Sequence, residues 1–346
     1  MNISLYSLEE CEKIATESSL RYVQDSLPGI LRKKCGKGFA YFYPDGTQVR
    51  NENELKRIKQ LVIPPAYKEV WICPFANGHI QATGRDSRNR KQYRYHPLWQ
   101  EARQRQKFDM MIHFGASISL IRHHINEILS QPPLLSKNQI ICAILYLLDT
   151  CCIRIGNTIY AQENKTYGLT TLRKKHLIIQ KNQAVLDFYG KNSKVWHINL
   201  RDKKIIRILK KCEEIPGYEL FKYQDENGLK IITSQDINFY LKCLTNYPFT
   251  AKDFRTWIAS REFFCRLLEF SNTKLRADVF IPVLKEVAKL LGHTPNVCQK
   301  NYIHPEIINW YKEGKLDKWK NKHQKKINSM SRDELLLYWL KKVACD

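Results

Sequence analysis

Two segments in the second half of the chain place polar side chains at spacings suited to handling a phosphate group. Thr250-Ala251-Lys252-Asp253 has the form of a capping box opening a helix, which puts Lys252 and Arg255 at i and i+3 on one face. Two fixed cations there could clamp a phosphate, although taken alone the segment is more simply a solvated basic face. The second segment is sharper. Phe280, Val283, Leu284, Val287 and Leu291 form a helical stripe that stops at Gly292, a usual residue type just past a helix end. His293 follows, and Thr294-Pro295 has the form of the N-cap and first position of another helix. Tyr302 lies seven residues beyond Pro295, about 10 Å along that helix. Beside Gln299, Lys300 and Asn301 it is not an obvious core residue, yet a tyrosine taken blind is far more often packing than nucleophile. Other chemistries lack their residues. There is no G-x-x-x-x-G-K-[ST] loop for ATP phosphates, and no C-x-x-C pair or i, i+4 histidine pair to suggest zinc.

The charge balance points to the partner. Among 346 residues, 57 Lys and Arg face 34 Asp and Glu, a net +23, on a chain whose 43% hydrophobic content is that of a folded protein. A folded protein this basic is expected to meet a polyanion, and duplex DNA carries one negative charge per roughly 1.7 Å of axis. Residues 85–107 concentrate eight cations, Arg85, Arg88, Arg90, Lys91, Arg94, Arg103, Arg105 and Lys107, against only Asp86 and Glu101. That window is a candidate phosphate-tracking surface. No membrane association is expected, because the longest apolar run, Ile140 to Leu148, is nine residues, about half of a span. The first ten residues have neither a basic n-region nor an apolar h-region, so secretion is not expected. Eleven scattered cysteines without a C-x-x-C pair imply reduced thiols and a reducing compartment.

The elements that must position these residues differ between the two parts of the chain. Residues 1–105 are expected to form a small β-rich domain: Phe39 to Tyr43 ends at the turn Pro44-Asp45-Gly46, and Val70 to Cys73 precedes Asn77-Gly78, a favoured hairpin turn. From Phe108 the apolar period becomes helical, through Met110, Met111, Phe114, Ile118, Ile121, Ile125 and Ile128, and Ile140 to Leu148 predicts a more deeply buried helix. Residues 106–346 are therefore expected to be mainly α-helical, interrupted by a β-meander. Its strands are His176 to Gln180, Ala184 to Tyr189 and Val195 to Leu200, with Gly190-Lys191-Asn192-Ser193 as the second turn. The fold class is α+β. A lysine-rich tail, Lys315 to Lys326, and an apolar stretch, Leu335 to Leu340, close the chain.

Arg154-Ile155-Gly156-Asn157, Gly168-Leu169-Thr170-Thr171-Leu172, Gly190-Lys191, Lys252 to Thr256, and Leu291 to Pro295 with Tyr302-Ile303-His304-Pro305 occur in one order along the sequence. That order resembles the type IB DNA topoisomerases, in the compact poxvirus-like branch shared by bacteria and large DNA viruses. Ile63 to Ala66, Gln81 to Asp86 and Lys91 to Pro97 extend the resemblance, which covers residues 60 to 310 or so. The catalytic fold it implies is the one shared with tyrosine recombinases. The activity it implies is ATP-independent nicking of one strand of duplex DNA through a 3′-phosphotyrosyl link, rotation that relaxes positive and negative supercoils, and religation. By the same resemblance Tyr302 is the nucleophile, Arg154, Arg255 and His293 hold the phosphoryl oxygens, and Lys191 is the general acid for the 5′-oxygen. An exposed turn lysine is what Lys191 would otherwise be taken for. Gln92, Tyr93 and Tyr95 match residues that contact base edges and backbone in the major groove. Arg85, Arg88, Arg90 and Lys91 fit phosphate contacts, and Lys252 and Tyr160 are counted with the DNA-binding set. Strand alternation puts the rings of Tyr93 and Tyr95 on one face, where plain packing is the alternative.

Asn157 stands where poxvirus enzymes carry a lysine, and Arg94 replaces an aromatic residue between the two tyrosines, so the poxviral preference for a short pyrimidine sequence is not carried over. A tyrosine recombinase is the nearest rival, but such enzymes usually have histidine where this chain has Lys252 and begin with a helical DNA-binding domain. A non-enzymatic DNA-binding protein would account for the charge and not for the ordered motifs. No ATP and no metal is expected to be required, with stimulation by Mg²⁺ left open. A monomer is expected, cytoplasmic and nucleoid-associated if the source is bacterial, in the virion or host cytoplasm if it is viral.

Overall fold

Short β-branched and aromatic runs between turn residues build the first part of the molecule, and long helical stripes the second. The computed structural model describes residues 8–270 and 276–344, and the chain divides into two units, Met1–Asp109 and Met110–Asp346. In the first unit α1 (Leu8–Glu17) precedes β1 (Ile30–Cys35), β2 (Gly38–Phe42), α2 (Glu52–Gln60), β3 (Lys68–Ile72), β4 (Ile80–Arg85) and β5 (Lys91–Tyr95). The strands form one antiparallel sheet in the order β2-β1-β3-β4-β5. Its core is Ile30, Val49, Ile58, Val70, Ile72 and Ala82, with Ile58 supplied by α2. Asn51 starts α2 by accepting from the N–H groups of Asn53 and Glu54.

One expected turn does not form. Residues 73–79, not a two-residue Asn77-Gly78 turn, connect β3 to β4. The reason is a competing pairing: the Arg21 N–H donates to the Asn77 carbonyl at 2.8 Å and the His79 N–H to the Arg21 carbonyl at 2.9 Å. Tertiary bonding overrides the local turn preference.

α3 (Pro97–Ser130) carries the chain from one unit into the next and begins eleven residues ahead of the expected Phe108. Pro97 suits a first helical position, and His96 Nδ1 accepts the Leu98 N–H at 3.2 Å. The Gln- and Arg-rich turns that follow carry no apolar stripe, which is why periodicity missed them. α4 (Lys137–Cys151) contains the apolar run, buried throughout except Tyr146 between Ile140 and Leu148. α5 (Thr158–Asn164) follows, then the meander of β6 (Leu177–Gln180), β7 (Gln183–Tyr189) and β8 (Val195–Leu200), paired in chain order as expected. α6 (Lys203–Glu214), a β9 (Lys222–Asp225) and β10 (Gly228–Ile231) hairpin, and α7 (Ser234–Thr245) lead to α8 (Ala251–Phe270). The rest is helical: α9 (Arg276–Leu291), α10 (Pro295–Tyr302), α11 (Pro305–Lys312), α12 (Lys315–Lys322), α13 (Gln324–Ser329) and α14 (Arg332–Val343).

α8 is the axis of this unit. It is buried over most of its length, polar Arg255, Ser260 and Glu262 included, with Phe254, Trp257, Phe263, Phe264 and Leu267 fully buried, as expected of a helix that other helices surround. α4, α9, α10 and α14 pack against it. Asp333 ties α14 in place by accepting from Trp257 Nε1 at 2.6 Å and pairing with Arg122 at 2.7 Å and Arg261 at 2.9 Å.

Candidate active site

Four separated segments bring Arg154, Arg255, His293 and Tyr302 together, and each is held by backbone geometry. α4 ends at Cys152, whose φ of 56° is left-handed and turns the chain sharply. The strand-like segment after it is fixed on the Gly168 to Thr171 turn: the Leu169 N–H donates to the Arg154 carbonyl at 2.9 Å and the Thr170 N–H to the Ile155 carbonyl at 2.7 Å. Gly156, at φ +105°, lies so close to this turn that a Cβ would approach Thr171 Oγ1 to 2.9 Å. The two glycine-bearing motifs are thus two halves of one support, and their product is the direction in which Arg154 leaves the backbone.

Arg255 is only 3% exposed. Its Nη2 donates to the Leu291 carbonyl at 2.6 Å and its Nη1 to the Cys152 carbonyl. These carbonyls lie at the C-terminal ends of α9 and α4, where the aligned peptide dipoles are negative, so two helix ends hold one guanidinium. Its Nε–H is buried with no partner among the described residues, a donor that an anion could satisfy. Burial, with the neighbouring Arg154 charge, pulls the Arg255 pKa below its ordinary value. The capping box before it forms as expected, with Asp253 Oδ2 accepting from the Thr250 N–H at 2.7 Å and hydroxyl at 2.8 Å. Lys252, however, is exposed while Arg255 is buried. Of the two cations expected on one face, Arg255 is a fixed interior donor and Lys252 a surface charge.

The end of α9 is also as expected. Gly292 adopts φ +68°, and the His293 N–H reaches back to the Ala288 carbonyl at 2.8 Å. Thr294 caps α10, with Pro295 in its first turn. The reversal turns His293 toward Arg154, whose Nη2 stands 2.9 Å from His293 Nε2. A guanidinium only donates, so Nε2 is the acceptor here and the ring proton sits on Nδ1. Burial first, then the charges of Arg154, Arg255, Lys191 and Lys194, push the His293 pKa down to about 3. The imidazole is neutral at physiological pH.

Tyr302 corrects an expectation drawn from its polar neighbours: it is buried, at 6% exposure. Its ring centroid is 4.7 Å from that of His293, and the Arg255 guanidinium carbon is 5.5 Å from the ring centre. Both ends of its backbone turn are pinned by a residue that sequence reasoning missed. Ser260 Oγ, fully buried on α8, donates to the Tyr302 carbonyl at 3.0 Å and accepts the His304 N–H at 2.9 Å. A serine inside a helix carries no sequence signal for such a bridge.

Lys191 is exposed on the β7–β8 turn and shares a pocket with Arg154, Ile155, Gly156, Asn157, Thr166 and Tyr167. The Tyr167 N–H donates to the Tyr189 carbonyl at 2.7 Å, which joins the pocket floor to the strand that leads into Lys191. Asn157, the departure noted in the sequence, lines the same pocket. Tyr160 lies on α5, and its side chain falls outside the described residues.

In the first unit the expected DNA-facing residues cluster on β4, β5 and their turn. Tyr93 and Tyr95 stack at 5.9 Å, exposed by 43% and 38%, on one face of β5. Arg88 is exposed on the turn, which Asp86 organises by accepting the N–H groups of Arg88 and Arg90 at 3.0 Å each. The cations here are less free than the sequence count suggests. Arg85 pairs with Glu69 at 2.7 Å, Arg90 with Asp86 at 2.7 Å and Lys91 with Asp25 at 2.6 Å, while Gln92 donates to Asp86 at 3.0 Å. The hydrogen bond from Arg90 is the main reason that the Asp86 carboxyl is held down at about 2.

Comparison with known proteins bears on the family. Residues 93–330 match the family described as eukaryotic DNA topoisomerase I, catalytic core, and residues 38–86 match the bacterial DNA topoisomerase IB N-terminal domain. The DNA topoisomerase 1B of Acanthamoeba polyphaga mimivirus is 32% identical over 297 residues, covering 82% of this chain and 88% of that protein. The DNA topoisomerase 1B of vaccinia virus (strain Copenhagen) is 24% identical over 299 residues, covering 79% of this chain and 90% of that protein. A family match over more than half the chain, with a relative of this identity along most of its length, places the chain in the type IB DNA topoisomerase family.

Proposed function

We propose that this topoisomerase breaks and rejoins one strand of duplex DNA through Tyr302. The Tyr302 oxygen attacks the phosphorus in line, the bond to the 5′-oxygen breaks, and the enzyme keeps a 3′-phosphotyrosyl link that conserves the bond energy for religation. The phenol gives up its proton to solvent water as it attacks, and the departing 5′-oxygen gains one from Lys191. Arg154, Arg255 and His293 receive the non-bridging oxygens, whose negative charge grows in the transition state. The observation that carries this reading is the 2.9 Å approach of Arg154 to His293 beside the buried ring of Tyr302. The guanidinium N–H now given to the neutral His293 ring is one that a phosphate oxygen seated there would take up.

Fixed cations can neutralise the transition state themselves, so the proposal includes catalysis without ATP or metal. It also has a monomer acting on double-stranded DNA away from membranes, in a nucleoid-bearing cytoplasm if the source is bacterial and in a virion or host cytoplasm if it is viral. Among the described residues, no helix is long and apolar enough to cross a membrane, and the ten cysteines among them are all free thiols, which suits a reducing compartment. The test is relaxation of positively and negatively supercoiled plasmid in EDTA without ATP. Both substrates should relax, and Tyr302→Phe should bind DNA yet relax neither. Full activity in that variant, or loss of relaxation on chelation, overturns the reading.

A further inference from the structure

Lys191 sits at the tip of a hairpin, and exposed tips move. Here the tip is not loose, and what holds it is a set of contacts outside the catalytic residues. The turn closes through the Gly190 N–H, which donates to the Lys194 carbonyl at 2.8 Å, and Asn192 and Ser193 take left-handed φ of 60° and 55° to fit between. Trp196 stacks on its cross-strand partner Phe188 at 6.4 Å. Its ring also presses on two glycines at once: a Cβ at Gly190 would come within 2.6 Å of it, and a Cβ at Gly292 within 2.8 Å. Lys194 lies over the Trp196 ring at 5.1 Å and reaches on to α9, where its Nζ donates to the Lys289 carbonyl at 3.1 Å. That carbonyl belongs to the last turn of α9, where it also accepts the Gly292 N–H at 3.1 Å and the helix dipole favours a cation. The residue after Gly292 is His293.

We propose that Lys194 and Trp196 form a latch that fastens the β7–β8 turn to the C-terminal end of α9, and that Lys194 is thereby a positioning residue for Lys191. The latch joins the turn bearing the proton donor to the turn bearing His293, so the acid and the phosphate seat keep one spacing. The proposal rests on the reading of Lys191 as the acid that protonates the 5′-oxygen. Burial, together with the charges of Arg255 and Lys289, lowers the Lys194 pKa, as expected of an ammonium drawn into a cationic site for its carbonyl partner.

The test compares single-turnover cleavage of two duplexes, one with the ordinary 5′-bridging oxygen and one with sulfur there, since a thiolate leaves without needing a proton. Lys191→Ala should be slower on oxygen by about 10²-fold or more and recover on sulfur. Lys194→Met, which keeps the stem over Trp196 but removes the donor, should slow oxygen cleavage about tenfold or more and recover on sulfur, with Lys194→Arg near wild type. On oxygen, the double variant Lys191→Ala/Lys194→Met should be no slower than Lys191→Ala alone, because Lys194 acts through Lys191. If Lys191→Ala recovers on sulfur but Lys194→Met does not, or if the double variant is slower, the latch is wrong and the general acid stands. If Lys191→Ala itself fails to recover, the general-acid reading falls and the latch with it. A Lys194 that merely contacted DNA backbone would leave the oxygen-to-sulfur ratio at its wild-type value, which also overturns the proposal.

Discussion

His293 shows how one residue's protonation state follows from where the chain puts it. The ring is half-buried beside guanidinium and ammonium groups, and its pKa falls to about 3. An unfolded imidazole protonates near 6.5, so between pH 6.5 and about 3 the unfolded chain binds a proton that the folded site refuses. This ring's contribution to stability is therefore intact above pH 6.5 and declines as pH falls through that window. For the proposed mechanism the consequence is a neutral imidazole. In DNA-free protein, the ¹⁵N shifts of His293 should stay flat from pH 8 to 5, with the proton on Nδ1, and DNA should raise the pKa because a phosphate offsets the surrounding cations. An inflection near 6.5 in the free protein, absent from His293→Asn, would contradict the geometry. The residue types were legible in the sequence, since glycine, histidine, threonine and proline in that order describe a helix end and a new start. The burial of Tyr302 was not legible, because it depends on α8 and α9, distant in the chain from α10 or packed across it.

Among the elements, α8 does two jobs at once. Arg255 and Ser260 stand five residues apart on it, one donating to the ends of α4 and α9 and the other holding the backbone on both sides of Ile303. Under the proposed function the helix is thus a rigid ruler between the anion-binding donor and the nucleophile. Ser260→Ala leaves the Tyr302 carbonyl and the His304 N–H without their shared partner, and a buried unsatisfied group costs about 1–3 kcal/mol. The melting temperature should drop. Beyond that, single-turnover cleavage at saturating protein should slow by about tenfold or more while DNA affinity holds, since misplacing a reacting atom costs rate and not binding. Ser260→Thr, which keeps the hydroxyl, should restore most of the rate. A variant that melts early yet cleaves at the wild-type rate when folded would make Ser260 purely structural. The capping boxes, the meander and the buried α4 follow from local rules of spacing and polarity. The early start of α3 and the long β3–β4 connection do not, because the first has no apolar stripe and the second is fixed by Arg21, over fifty residues away in sequence from Asn77.

For the whole molecule, a net +23 says that the partner is an anion but not which cations meet it. In the first unit the ion pairs of Arg85, Arg90 and Lys91 mean that part of the formal charge is already neutralised within the protein, whereas the exposed Arg88 has no carboxylate partner among the described residues. A cation that must exchange a carboxylate for a phosphate releases fewer counterions on net than one that starts in solvent. Salt dependence can tell the two kinds apart, because each phosphate neutralised adds about −0.9 to the slope of log K against log salt. Arg88→Ala should therefore flatten that slope by about one, and Arg85→Ala, which also frees Glu69 to repel the backbone, should lower affinity while changing the slope less. Fluorescence anisotropy with one duplex across about 50 to 200 mM salt gives both numbers. If Arg85→Ala flattens the slope as much as Arg88→Ala, the Arg85–Glu69 pair opens fully on DNA, and the net charge of this region acts as the plain sum of its cations.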